Sequence, residues 1–160
     1  MTIKTKLSQK EYINASLTVI MARPVVRIFL VMFGFVILVN IAINFTKQGA
    51  SILTVVPMII VPIIFCVVFY FKLKTAYSNN SRISETITYG FDKTNFNMAG
   101  ESFKAELSWK KIYKVTLTKK WVLIWQNKQI ANAIPKIDLP GSDLDELKDI
   151  LTANGVKNNL

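Results

Sequence analysis

Residues 28–71 decide the reading of this chain: IFLVMFGFVILVNIAINF over 28–45, TKQGAS over 46–51, and ILTVVPMIIVPIIFCVVFYF over 52–71. No Asp, Glu, Lys or Arg falls within 28–46 or within 48–71. A helix needs about 20 apolar residues to cross about 30 Å of hydrocarbon, so each stretch is long enough to span a bilayer. The short link between them holds Gly49 and Ser51, both turn formers, and forces the two helices to run antiparallel. Pro57 and Pro62 interrupt the second stretch, which membrane helices tolerate when neighbouring groups satisfy the freed carbonyls. The expectation is a transmembrane hairpin over 25–72.

Charge distribution orients the hairpin. Arg23 and Arg27 flank the start of its first span, Lys72 and Lys74 flank the end of its second, and Lys47 alone is the charge in the connecting loop. By the positive-inside rule both termini face the cytoplasm, which implies a multi-pass protein of the bacterial inner membrane. Arg23, Arg27, Lys72 and Lys74 then act as juxtamembrane anchors. The net charge of +10 is dispersed along the chain rather than gathered in one stripe, so it does not point to nucleic acid.

Within the spans, Asn40 and Asn44 fall four residues apart and share a helix face, from which Thr54 of the second span is within reach. Interhelical polar contacts are the expected role, since neither span holds the ionisable residue that marks most ion or proton pathways. Cys66, the single cysteine, has no second thiol for a disulfide or a metal site and reads as a packing residue.

Ahead of the hairpin, residues 1–24 form an N-terminal amphipathic segment. Ser8 and Glu11 have capping-box spacing, Ile13, Leu17, Ile20 and Met21 recur at helical intervals, and Pro24 ends the element. The expected position is the membrane interface, with Lys10 and Arg23 meeting phosphates.

Behind the hairpin the periodicity changes. A polar linker over 73–82 leads into alternating segments: Phe103, Ala105, Leu107 and Trp109 against Lys104, Glu106 and Ser108, then Tyr113, Val115 and Leu117 against Lys114 and Thr116. With 83–91, 95–99, 121–126 and 129–134 this makes about six strands, separated by polar and glycine turns. A terminal amphipathic helix opens at Ser142, with Leu144, Leu147, Ile150 and Leu151 on one face, and stops at Gly155. Asp143, Asp145 and Glu146 complement the positive end of that helix rather than forming a catalytic carboxylate pair. The expected class is an α+β membrane protein whose small antiparallel β domain, 83–153, is capped by a C-terminal helix and followed by a tail over 154–160.

The pattern of Ile87, Tyr89 and Phe91, then Gly100 and Glu101, then Leu107, Trp109, Ile112 and Val115, and finally Ile134, Pro135 and Lys136 resembles the YcxB-like family of small bacterial membrane proteins. That resemblance covers nearly the whole chain and implies a cytoplasmic domain of PH-like type. It brings no catalytic residue, ligand or cofactor with it.

Catalytic chemistry lacks its usual parts. There is no histidine, and no Walker sequence, glycine-rich phosphate loop, HExxH or CxxC occurs, so neither an enzyme nor a bound metal or cofactor is expected. Binding is the better prospect. Lys110, Lys111, Lys114, Lys119 and Lys120 cluster along the sequence, and Trp121 and Trp125 share one face of the next strand. Two readings stay open: a surface for anionic lipid or a protein partner, or a solvated sheet edge over core tryptophans. The expected function is a membrane-anchored, non-enzymatic interaction or regulatory module, self-associating or meeting another membrane protein. The alternative is an accessory subunit of a transport or export assembly.

Overall fold

A strand of five consecutive buried residues, Trp121-Val122-Leu123-Ile124-Trp125, lies at the centre of the fold. Burial on both faces explains why this segment is apolar throughout rather than alternating. The computed structural model describes residues 1–46 and 52–160, with the side chains of 1–43 and 56–160. In chain order the elements are β1 (Thr2–Thr5), α1 (Gln9–Ala22), α2 (Pro24–Thr46), α3 (Ile52–Asn79), α4 (Ser81–Ser84), β2 (Ile87–Phe91), β3 (Asn95–Ala99), β4 (Lys104–Ser108), β5 (Lys114–Leu117), β6 (Trp121–Trp125), β7 (Ala131–Pro135) and α5 (Gly141–Ala153). Short 3₁₀ turns at Trp109–Lys111 and Lys136–Asp138 follow β4 and β7.

The strands form two antiparallel sheets, one ordered β1-β2-β3-β4 and the other β5-β6-β7. Their facing sides enclose the main core. Val115, Val122, Ile124 and Ile134 come from the three-stranded sheet, and Ile3, Tyr89, Phe91, Phe96 and Met98 from the four-stranded one. Phe91, Phe96 and Trp109 form an aromatic stack with centroids 5.5 to 6.4 Å apart, and the Trp109 indole donates to the Asp92 carbonyl at 2.8 Å. Leu147 and Leu151 of α5, fully buried, close the open side of this core.

Both long helices fit the hydrophobic stretches. They are long and apolar enough to cross a membrane, and neither hydrophobic window is buried within the chain. Pro57 and Pro62 are accommodated inside α3.

Four expectations are corrected. First, the N-terminal residues belong to the β module: β1 pairs with β2 from Thr2↔Gly90 to Thr5↔Ile87, so a seventh strand precedes α2 and α3 and completes the four-stranded sheet. Second, the apolar side of α1 rests on protein rather than on acyl chains. Ala15 and Val19 pack on Trp121, Leu123 and Trp125 of β6, whose second face needs cover, whereas Leu17 and Met21 remain exposed.

Third, residues 73–79 are not a linker but the end of α3. The Tyr77 ring lies 5.8 Å from that of Tyr12 on α1, and this contact supports continued helix. The polar run that follows is a cap: the Asn80 side chain accepts from the Arg82 amide at 3.2 Å and starts α4, so β2 begins at Ile87 rather than at Ile83. Fourth, the tail expected over 154–160 is bound to the β module at Lys157 and Asn159. The Val115 amide donates to the Lys157 carbonyl and the Leu117 amide to Asn159 Oδ1, which covers the β5 edge. α5 itself ends as expected, with Gly155 in the left-handed region at φ 66°.

Candidate functional site

The residues grouped by the sequence part company in space. Trp121 and Trp125 are buried between β6 and α1, and the Trp125 indole donates to Thr116 Oγ1 at 2.9 Å, so neither ring presents a surface. The second face of β6 is covered by α1, which is why these rings are core. Lys114 is half-buried on β5 with its ammonium 5.3 Å from the Trp125 ring centroid, a cation–π contact that holds it inward.

The other four lysines divide into two pairs at opposite ends of β5. Lys110 and Lys111 stand exposed on the 3₁₀ turn before it; Lys119 and Lys120 stand exposed on the turn after it. The second pair lies near the start of α2, since Lys120 shares a groove with Met21 of α1 and Arg27 of α2. The Lys136 amide donates to the Lys120 carbonyl at 2.9 Å, placing the turn after β7 alongside. That turn carries Ile137, 90% exposed. Near the start of α2 these two turns form a rim that carries Lys119, Lys120, Lys136 and the bare aliphatic side chain of Ile137.

The remaining anchors differ among themselves. Arg27 Nε donates to the Met21 carbonyl at 3.0 Å and ties α2 to the end of α1. Lys72 and Lys74 project from α3, exposed. Asn40 Nδ2 donates to the Val36 carbonyl one turn back at 3.4 Å. The side chains of Asn44 and Thr54 lie outside the described residues, and so does the expected polar contact they would make.

Arg23 is the anchor that the structure places differently. It caps α1, its amide donating to the Ile20 carbonyl at 3.1 Å, and its side chain lines a cleft of about 560 Å³ between α1, the end of α3 and the adjoining edges of the two sheets. Ile20, Leu73, Ile87 and Phe103 supply apolar wall. Arg82 stands at the margin with its guanidinium 6.0 Å from the Phe103 centroid. Tyr89 is also in the lining, its hydroxyl pKa pushed up to about 12 by burial, so it remains a neutral phenol.

Asn132 completes the site. It occupies a core-facing position of β7, opposite Ile124 and two residues before the buried Ile134, where the pattern calls for an apolar side chain. Among the described residues, Asn132 Nδ2 and Arg23 Nε are the buried side-chain atoms that have no hydrogen-bond partner, and both residues line this cleft. Leaving such a donor unpaired costs about 1–3 kcal/mol, and more when the group is charged. Among the described residues that line the cleft there is no Asp or Glu.

Sequence reasoning misses this cleft because Arg23, directly before the first span, has an ordinary explanation as an anchor. The available signal is Asn132, a polar residue at the same strand parity as Ile134. Gly100 also bears on the cleft: a Cβ there would fall 2.6 Å from the Phe103 ring and displace that part of the wall.

No protein-family model, curated protein or solved structure matches this chain.

Proposed function

We propose that this chain is a membrane-anchored, non-enzymatic module, similar to the YcxB-like proteins. In this reading α2 and α3 form a hairpin through the bacterial inner membrane, with both termini in the cytoplasm. The β module is held against the inner leaflet to meet anionic lipid and a membrane-protein partner. Two sheets of four and three strands closed by a C-terminal helix support a PH-like reading of the module.

The observation that carries the proposal is the bridging position of α1. One side of this helix packs on β6, its early turns meet α3 through Tyr12 and Tyr77, and its last turn meets α2 through Met21 and Arg27. The β module is therefore fixed to both long helices instead of trailing on a linker. A domain that needs only tethering has no use for that rigidity, whereas one that reads the leaflet needs its binding edge at constant height. The rim of Lys119, Lys120, Lys136 and Ile137 lies where α2 departs, the position at which basic and aliphatic side chains both gain from a bilayer surface.

The test is topological. Alkaline phosphatase fused after Gln48 in a bacterial host is expected to be active, and the same enzyme fused after Leu160 inactive. Activity at Leu160 with none at Gln48 would invert the orientation and remove the lysine rim from the anionic leaflet.

A further inference from the structure

We propose that the cleft between α1, the end of α3 and the two sheet edges holds the phosphate head group of one anionic phospholipid, with Arg23 and Asn132 as its donors. The proposal rests on the membrane reading above.

Three features select this occupant. Charge is the first: the Arg23 guanidinium lines a cleft with no carboxylate among its described lining residues, which favours an anionic occupant. A guanidinium fork matches phosphate oxygens, and the unpartnered Asn132 Nδ2 of the same lining offers a neutral donor. Wall chemistry is the second. Ile20, Leu73, Ile87 and Phe103 are apolar, which suits glycerol and the first methylenes of an acyl chain and does not suit a free, fully hydrated anion.

Position is the third. Arg23 immediately precedes Pro24, the first residue of α2, and Leu73 follows the apolar part of α3 by one residue after Lys72. The cleft therefore opens between the two points at which the chain would enter and leave the bilayer. A head group seated there keeps its acyl chains in the leaflet. At about 560 Å³ the cleft is of ordinary ligand size and takes the head group with its glycerol rather than a whole two-chain lipid. The lysine rim differs in kind, because exposed lysines attract any anionic surface without holding a particular molecule.

The experiment uses the full chain in nanodiscs of phosphatidylcholine containing a minor fraction of phosphatidylglycerol, with retained lipid counted by native mass spectrometry after release. Wild-type protein is expected to keep one phosphatidylglycerol in preference to phosphatidylcholine. Arg23→Gln and Asn132→Leu should each lower that retention by roughly tenfold, as expected for loss of a hydrogen bond to a charged group. Lys110→Gln with Lys111→Gln, at the far end of β5, should leave it unchanged. Equal retention of both lipids, retention of neither, or retention indifferent to Arg23 and Asn132 would overturn the assignment while leaving the membrane reading intact. Displacement of the lipid by millimolar inorganic phosphate would overturn it too, because the site would then be one for soluble phosphate. Failure of the chain to enter nanodiscs of any composition would overturn both. Should either variant misfold, thermal stability of the wild type in the two lipids decides: stabilisation by phosphatidylglycerol over phosphatidylcholine is required, and its absence rejects the site.

Discussion

The hydroxyl of Tyr77, near the end of α3, donates to the backbone carbonyl of Leu7 at 2.9 Å and so joins the second long helix to the segment between β1 and α1. The same ring lies against Tyr12, so the contact combines packing with one partly buried hydrogen bond. Tyr77→Phe keeps the packing and removes the bond. Its expected cost is about 1 kcal/mol, the usual net worth of such a bond. Chemical denaturation of the full chain in detergent measures it. A stability equal to wild type would mean that water replaces the hydroxyl at no cost and that this end of α3 is held by ring contact alone.

All three tryptophans are internal: Trp109 in the sheet-to-sheet core, Trp121 and Trp125 beneath α1. Their emission should resist quenching by iodide in detergent and by brominated acyl chains in vesicles, and both quenchers should gain access only on unfolding. Strong quenching by brominated lipid in the folded protein would return Trp121 or Trp125 to a membrane-facing position. Trp125→Ala, which empties a large buried volume, is expected to cost about 3–5 kcal/mol.

Local pattern carried much of the architecture into the sequence. The two long helices, the six strands after them and the terminal helix with Gly155 all announce themselves through period, length or turn chemistry. What escaped was non-local. β1 is a four-residue segment whose partner lies beyond both long helices, at Ile87–Gly90, and no short window can reveal that pairing. The apolar side of α1 was legible, but not that the outer face of β6 covers it. Lysines adjacent in sequence from 110 to 120 were separated by the length of β5, and the residue that best marks the cleft, Asn132, gains meaning only once its face of β7 is known.

The start of α1 titrates. Ser8 Oγ donates to Glu11 Oε2 at 2.6 Å, the Ser8 amide donates to the same oxygen at 2.9 Å, and these two bonds hold the Glu11 carboxyl below its ordinary 4.5. A lowered value in the folded state stabilises the fold above the unfolded value, and that contribution disappears as pH falls through the folded one. Wild-type protein should therefore lose more stability on going below pH 4.5 than Glu11→Gln, which retains a capping oxygen but does not ionise. Because the group is exposed, the difference should stay below about 1 kcal/mol. Parallel thermal melts at pH 6 and pH 3 give the comparison, and identical losses in both proteins would remove Glu11 from the acid response.

The split of the lysines yields the sharpest test of how the module meets the bilayer. Lys119 and Lys120 sit on the turn that adjoins Arg27, whereas Lys110 and Lys111 stand a strand length away at the other end of β5. Near an anionic leaflet each lysine contributes about 1 kcal/mol, and the effect fades within a Debye length of roughly 8–10 Å. Amide exchange of the full chain in nanodiscs should therefore slow around 118–121 and 136–138 when phosphatidylglycerol replaces phosphatidylcholine, and remain unaltered around 109–112. Lys119→Glu with Lys120→Glu should abolish that protection, and high salt should weaken it. The same reversal at Lys110 and Lys111 should do nothing. Protection that instead follows Lys110 and Lys111 would mean that the module lies on the membrane by its opposite end, and the cleft at Arg23 would then face away from the lipid assigned to it.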